Sequence, residues 1–267
     1  DFLISAMKAA ITVKFRGRVF FVRSIDELFE TYSSLGIEKT ATAAEIVKSR
    51  KAKDYKTCIA KMREIIEENP EIAAVIAEYR KGVISEYEES QPKNEMQKLA
   101  AMIKSNIRNY ISSGDFSAAE KTLDEYEKLK ALALKSAKDF LALYESIPDK
   151  NATAIAERKT FYGNVPRSAD EMYEHTKNVN EYYFSEIDVH ADNKDNIYEC
   201  RKRGFELLEA KADYLNNAVI EGSYGEDWSL RKVLRRFIWH DRIHAKAMYR
   251  MAVKVFGAEN VANPFCF

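Results

Sequence analysis

Along most of the chain, apolar residues return every three or four positions, the period of an α-helix with one buried face. One segment departs from that rhythm. Residues 11–22, ITVKFRGRVFFV, partly alternate with period two on either side of Arg16-Gly17, which predicts a short β-hairpin turned at the glycine. Behind it, Ser24 with Glu27 and Thr42 with Glu45 have capping-box spacing, in which a hydroxyl and a carboxylate three residues later satisfy free amides. Helices are predicted to open at both places. Ile59, Met62, Ile65 and Ile66 place a helix over 55–69 that ends at Asn69-Pro70, and another follows over 71–88.

A new unit is expected from Gln91-Pro92, because Met96, Leu99, Ile103, Ile107 and Ile111 form an apolar stripe that closes at Ser112-Ser113-Gly114-Asp115. A Ser117/Glu120 capping box then opens a helix to about Lys130, with Ala118, Leu123 and Tyr126 facing inward. The segment NYISSGDFSAAEKTLDEYEKL resembles one tetratricopeptide-type hairpin, which implies a groove for a peptide of a protein partner. No second copy follows at the repeat period, and the residues themselves read as a plain helical hairpin packed on its neighbours.

From Ala131 onward the pattern gives four longer helical segments. The first covers 131–147 and ends at Pro148; the second covers 168–187 and opens with a Ser168/Glu171 capping box. The third covers 196–220, with Gly222 and Gly225 in the loop behind it, and the fourth covers 229–256 and stops at Gly257. Four amphipathic helices in about 135 residues predict a four-helix bundle. The expected class is therefore mostly all-α. A helical region over 1–92 with its β-hairpin and a helical hairpin over 93–130 precede a bundle over 131–267.

Composition narrows the functional classes. With 9 Gly and 5 Pro in 267 residues there are few turns and few helix breakers, which excludes an ordinary all-β fold. Lys and Arg number 42 against 42 Asp and Glu, so the formal charge is zero and a general nucleic-acid or anionic-membrane binder is not expected. No apolar run approaches the roughly 18 residues a membrane span needs, and no secretory signal is legible at the start. Cys58, Cys200 and Cys266 fit neither a disulfide framework nor a CxxC motif, and a reducing, cytoplasmic setting is the expectation.

Candidate chemistry comes from the histidines, of which there are four. His240 and His244, in RFIWHDRIHAKAMYR, are four residues apart, so both imidazoles leave one face of a helix and can converge on one ion. His175, in EMYEHTKNVNEYYF, shares its helix face with Met172, Val179, Tyr182 and Tyr183. Each could equally be a packed histidine with a hydrogen-bond partner, but two core-facing histidine sites on different helices are what a three-histidine centre requires. His190 lies in the polar run VHADNKDN, which lacks the regular ligand spacing of a calcium loop and reads as a solvated connection.

With these residues in view, the segment from about Ala131 to Phe256 resembles the DinB-like four-helix bundles. The resemblance covers about half the chain and rests on PRSADEMYEHTKNVNEYYF around His175 and on EDWSLRKVLRRFIWHDRIH, with its Trp-Ser helix start, around His240 and His244. It implies a divalent metal ion, zinc or nickel, on His175, His240 and His244. It further implies a metal-dependent transfer of a low-molecular-weight thiol to an electrophilic small molecule, or a related hydrolysis or isomerisation. Three neutral imidazoles leave at least one coordination position open, the mark of a catalytic rather than a closed structural site.

Around these three, Asp241 is placed to orient an imidazole of a neighbouring helix or to pair with Arg242 or Lys246, and Tyr182 and Tyr183 follow His175 by two turns. Glu174 and Arg236 are open to either a site role or a surface role. The basic run Arg231, Lys232, Arg235 and Arg236 is a solvated face or an attractor of an anionic substrate at a pocket mouth. The rival expectation is a non-catalytic helical scaffold whose N-terminal half docks a protein partner and whose histidines are vestigial. A homodimer through helix faces is compatible with either reading, although no heptad seam specifies one.

Overall fold

The computed structural model describes residues 10–33, 40–90, 106–160, 163–216 and 218–267. Helix dominates them, as the periodicity requires, with sheet confined to three two-stranded pairings. Among the described residues, no helix is long and apolar enough to cross a membrane. The chain divides into two compact units. One comprises Asp1–Glu125 with Ala212–Asn217, the other Tyr126–Lys211 with Ala218–Phe267.

In the first unit, strands β1 (Ile11–Phe15) and β2 (Arg18–Val22) form the predicted antiparallel hairpin, turned at Arg16 and Gly17, whose φ values are 45° and 75°. Positive φ is costless only for the glycine. Ile11, Val13 and Phe15 alternate inward with Lys14 and Thr12 outward, so one face packs and one is wet. Helices α1 (Ile25–Ser33), α2 (Thr40–Lys51), α3 (Tyr55–Glu68) and α4 (Glu71–Ser90) follow. The Glu27 amide donates to Ser24 Oγ at 3.1 Å, so the first predicted cap is present. The second is corrected: α2 begins at Thr40, and Thr42 lies inside it. Helix α5 (Ile107–Ser112) ends at Gly114, where φ is +75° and a Cβ would come within 3.2 Å of Ile76. The earlier part of the expected stripe, Met96, Leu99 and Ile103, lies outside the described residues.

The largest departure concerns α6, one continuous helix from Phe116 to Ser146 where two helices meeting at 130/131 were expected. That expected boundary falls inside the helix. Its buried positions run Ala119, Leu123, Tyr126, Ala133, Ala137 and Phe140, spaced by alternating fours and threes with only Lys130 interrupting the stripe. Lys130 Nζ donates to Glu209 at 2.6 Å, so the charge that reads as a break is an ion pair. The Ser117/Glu120 box also gives way. Asp115 caps this helix instead, its Oδ1 accepting from the Ala118 amide at 3.2 Å.

In the second unit, α6 is followed by an irregular connection and then by α7 (Ala169–Ser185), α8 (Ile197–Glu209) and α9 (Leu230–Phe256). These four helices share one core: Phe140 and Leu143 from α6, Met172 from α7, Ile197 from α8, and Met248 and Met251 from α9 are all buried in it. Helix α8 stops at Glu209 rather than near Ile220. The residues after it, 212–217, belong to the first unit, where the Asp213 carboxylate pairs with Arg108 and its amide donates to Lys53 O at 3.2 Å. Asp213, four residues beyond the helix end, holds φ at 77°, a left-handed conformation outside the helical range. Gly257, with φ at 87°, terminates α9 as expected.

One residue ties the bundle together. Arg201 on α8 is fully buried; its Nε donates to Asn180 Oδ1 on α7 at 2.8 Å and its Nη1 to the Ala133 carbonyl on α6 at 3.1 Å. On α9 it forms a two-pronged pair with the equally buried Asp241, Nη2 to Oδ1 being 3.1 Å, and its guanidinium lies 4.2 Å from the Phe237 ring centroid. Nearby, Gly204 on α8 lets α7 approach closely, since a Cβ there would fall 2.1 Å from the Phe184 ring.

Two stability outcomes follow. Arg201→Met strands the Asp241 charge in the core and is expected to cost about 3–5 kcal/mol, whereas the pair Arg201→Met with Asp241→Leu returns most of that loss. Urea unfolding of the single and double variants checks the sign of the difference. Gly204→Ala is expected to cost about 1–3 kcal/mol by overpacking against Phe184, read as a lowered midpoint in the same titration.

Candidate metal centre

Two capped helices carry the site. Ser168 opens α7, its Oγ accepting from the Glu171 amide at 3.2 Å, while Glu171 Oε2 accepts in return from the Arg167 amide at 2.7 Å. Ser229 opens α9 and accepts from the Lys232 amide, and buried Trp228 precedes it. With both helix starts fixed, a four-residue spacing on α9 puts His240 and His244 on one side, and the packing of α7 against α9 brings His175 to them.

The three rings form a triangle. Centroids lie 4.4 Å apart for His240 and His244, 4.7 Å for His175 and His244, and 5.2 Å for His175 and His240. One nitrogen from each ring lies within 4.8 Å of the other two. Ligands at about 2.1 Å from a tetrahedral ion stand about 3.4 Å apart, so small ring rotations close this triangle on a cation.

The donor chemistry fits a cation as well as the distances do. None of the three imidazoles makes a hydrogen bond with a described residue, and His240 Nδ1 is buried without a partner. Burial, with its two neighbouring imidazoles and Arg201 and Arg236 adding to it, lowers the His240 pKa to about 2. His244 is lowered to about 4 by burial and by His175, and His175 is lowered by burial. All three therefore stay neutral near neutral pH, the state in which imidazole ligates. His240 sits at the back with 7% of its surface exposed, and His175 stands on the solvent side.

The residues expected around the triad distribute differently. Tyr183 is buried with its ring edge-on to His240, centroids 5.9 Å apart. Tyr182 packs at right angles on Trp228, 6.0 Å away, one ring removed from the histidines. Asp241 neither orients an imidazole nor pairs with Arg242 or Lys246: its carboxylate is taken by Arg201. Glu174 pairs with Lys177 at 2.8 Å, and Arg236 pairs with Glu226 at 2.9 Å. Lys232 foremost, then Arg236, holds the Glu226 carboxyl below its ordinary range. His190 is exposed beside Asp188, away from the site, as expected of a solvated loop. Arg201 was not legible as a member of this neighbourhood, since RKRGF reads as a solvated basic run; only Gly204, three residues on, signals that this helix face is tightly packed.

The depressed pKa values carry a pH consequence. In the unfolded chain histidine takes up a proton near pH 6.5, while folded His240 excludes it until about pH 2. Stability of the metal-free protein is thus full above pH 6.5 and falls below it, by about 1.4 kcal/mol per pH unit for each proton excluded. Thermal melts of metal-stripped protein between pH 7 and 5 are expected to show that slope, and His240→Gln to flatten it.

No family model matches the chain, and neither a curated protein nor a solved structure matches it.

Proposed function

We propose that the protein is a metal-dependent enzyme of DinB-like type, with a divalent ion, zinc or nickel, held by His175, His240 and His244. The observation that carries the reading is the triangle itself: three neutral imidazoles with no hydrogen-bond partner among the described residues, one nitrogen of each within 4.8 Å of the others. A divalent ion on three neutral imidazoles keeps a coordination position open and supplies Lewis acidity there.

The chain's own residues set the surroundings. His240, at the back of the site, and the ring of Tyr183 on its edge close the inner side, so the open side is that of exposed His175. Substrate enters there. Arg201 holds Asp241, and with it the turn of α9 that carries His240, so the two α9 donors keep their spacing toward His175. Arg236, one turn ahead of His240, adds positive charge that favours an anionic reacting group such as a thiolate. Transfer of a low-molecular-weight thiol to an electrophile is the reaction class that the DinB-like resemblance and this electrostatic setting favour together.

Elemental assay of the purified protein for zinc, nickel and iron, after dialysis against a weak chelator, is expected to give about one ion per chain. His175→Ala and His240→Ala are each expected to reduce that to about a tenth or less while circular dichroism retains the helical signal. Absence of metal in the parent, or metal unchanged by both substitutions, sinks the assignment.

A further inference from the structure

In the first unit the β-hairpin leaves one strand edge open. Its tight turn, with positive φ at both Arg16 and Gly17, makes Phe15 and Arg18 a pair that exchanges backbone hydrogen bonds. The alternation of an antiparallel ladder then makes Val13 with Phe20, and Ile11 with Val22, the next such pairs. Val19 and Phe21 therefore turn their N–H and C=O groups away from β1. The same alternation turns the Lys14 amide outward on β1, where Glu78 of α4 accepts it at 3.0 Å. No described residue does this for Val19 or Phe21.

The two edges also differ in what covers them. Helix α4 packs along β1, and closely, because a Cβ on Gly82 would fall 2.4 Å from the Ile11 side chain. Strand β2 keeps Phe21 67% exposed and Val19 51% exposed, two large apolar side chains on one face of an unpaired edge. An edge of that kind is completed by another strand, which supplies main-chain bonds and apolar contacts together. The β2 sequence, RVFFV, suits pairing with itself. An antiparallel copy centred on Phe20 sets Val19 opposite Phe21 on both sides, gives every outward N–H an outward C=O, and places Arg18 opposite Val22 rather than a second arginine. Sliding that copy by two residues leaves half of those backbone groups unmatched.

We propose that β2 is the contact of a homodimer, in which two copies of the chain pair this strand antiparallel about a two-fold axis at Phe20 and join their hairpins into one continuous sheet. The partner is a second copy of the chain because the fit is reciprocal: each strand offers the apolar side chain and the backbone groups that the other lacks. Pairing also stops at two copies. Each β2 edge is used up, and the edges that remain are those of β1, held against α4 with Glu78 on the Lys14 amide. Strands of 5 residues bury less than the roughly 1,200 Å² of a stable interface, which makes the dimer weak and concentration-dependent. It does not depend on the histidine centre.

Sedimentation velocity of the full chain from about 2 to about 200 µM is expected to show monomer giving way to dimer. Phe21→Lys and Val19→Pro are each expected to weaken the dimer about tenfold or more, while Leu132→Lys, at an equally exposed apolar position of the second unit, leaves it unchanged. Val19→Pro removes an outward N–H and no ladder bond, which an edge strand tolerates. Circular dichroism checks that both variants fold, and Phe21→Lys carries the test by itself where the proline unfolds the hairpin. Amide hydrogen exchange gives a second reading: the Val19 and Phe21 amides exchange freely in dilute protein and become protected at high concentration. A monomer across the whole range overturns the proposal. So do a dimer that ignores Phe21→Lys, a dimer without protection at Val19 and Phe21, and species that grow beyond the dimer and are lost in Phe21→Lys.

Discussion

The C-terminal unit depends on a charge that should not be there. A guanidinium removed from water loses solvation worth several kcal/mol, and Arg201 is removed completely. It is tolerated because every prong finds a partner: the Asn180 amide oxygen on α7, the Ala133 carbonyl on α6, the Asp241 carboxylate on α9 and the face of Phe237. Those partners sit on all the other helices of the unit. Apolar packing alone would let a helix slide or rotate at modest cost, but moving α9 by half a turn would leave a buried ion unpaired, and moving α6 or α7 would leave a buried guanidinium N–H without its acceptor. The pair therefore fixes rotation and register more than it adds net stability.

Register is what the histidine triangle needs. Asp241 follows His240 directly, and the two side chains leave α9 about 100° apart, one toward Arg201 and the other toward His175. Anchoring Asp241 aims His240. The same pair settles the local electrostatics, because a fully neutralised arginine adds less to the field at the imidazoles than a lone one would. Burial is then the first cause keeping His240 and His244 neutral.

How far the sequence revealed this differs by residue. The hairpin at Arg16-Gly17, the Ser168 cap, the stop at Gly257 and the convergence of His175, His240 and His244 follow from local rules of turn chemistry, capping and helical spacing, and all were legible. What was not legible depends on partners distant in sequence. Lys130 reads as the polar end of a helix, and only Glu209, 79 residues on, turns it into part of the stripe of α6. Residues after Glu209 continue a helical pattern, and only the pairing of Asp213 with Arg108 takes them out of it. Arg201 looks like surface and Asp241 like a histidine's partner until the two are seen to neutralise each other.

The contrast between the two polar clusters of this unit bears on function. Around Arg201, each buried polar atom is matched by a protein partner, as a purely structural cluster requires. Ten residues or fewer away along the same helix and its neighbour, the three imidazoles face one another with no described protein partner, and a buried nitrogen of His240 is left over, at a cost of about 1–3 kcal/mol. The three imidazoles thus form a donor set able to hold a metal ion, and a buried nitrogen held without a protein partner is what preorganised donors of that kind require.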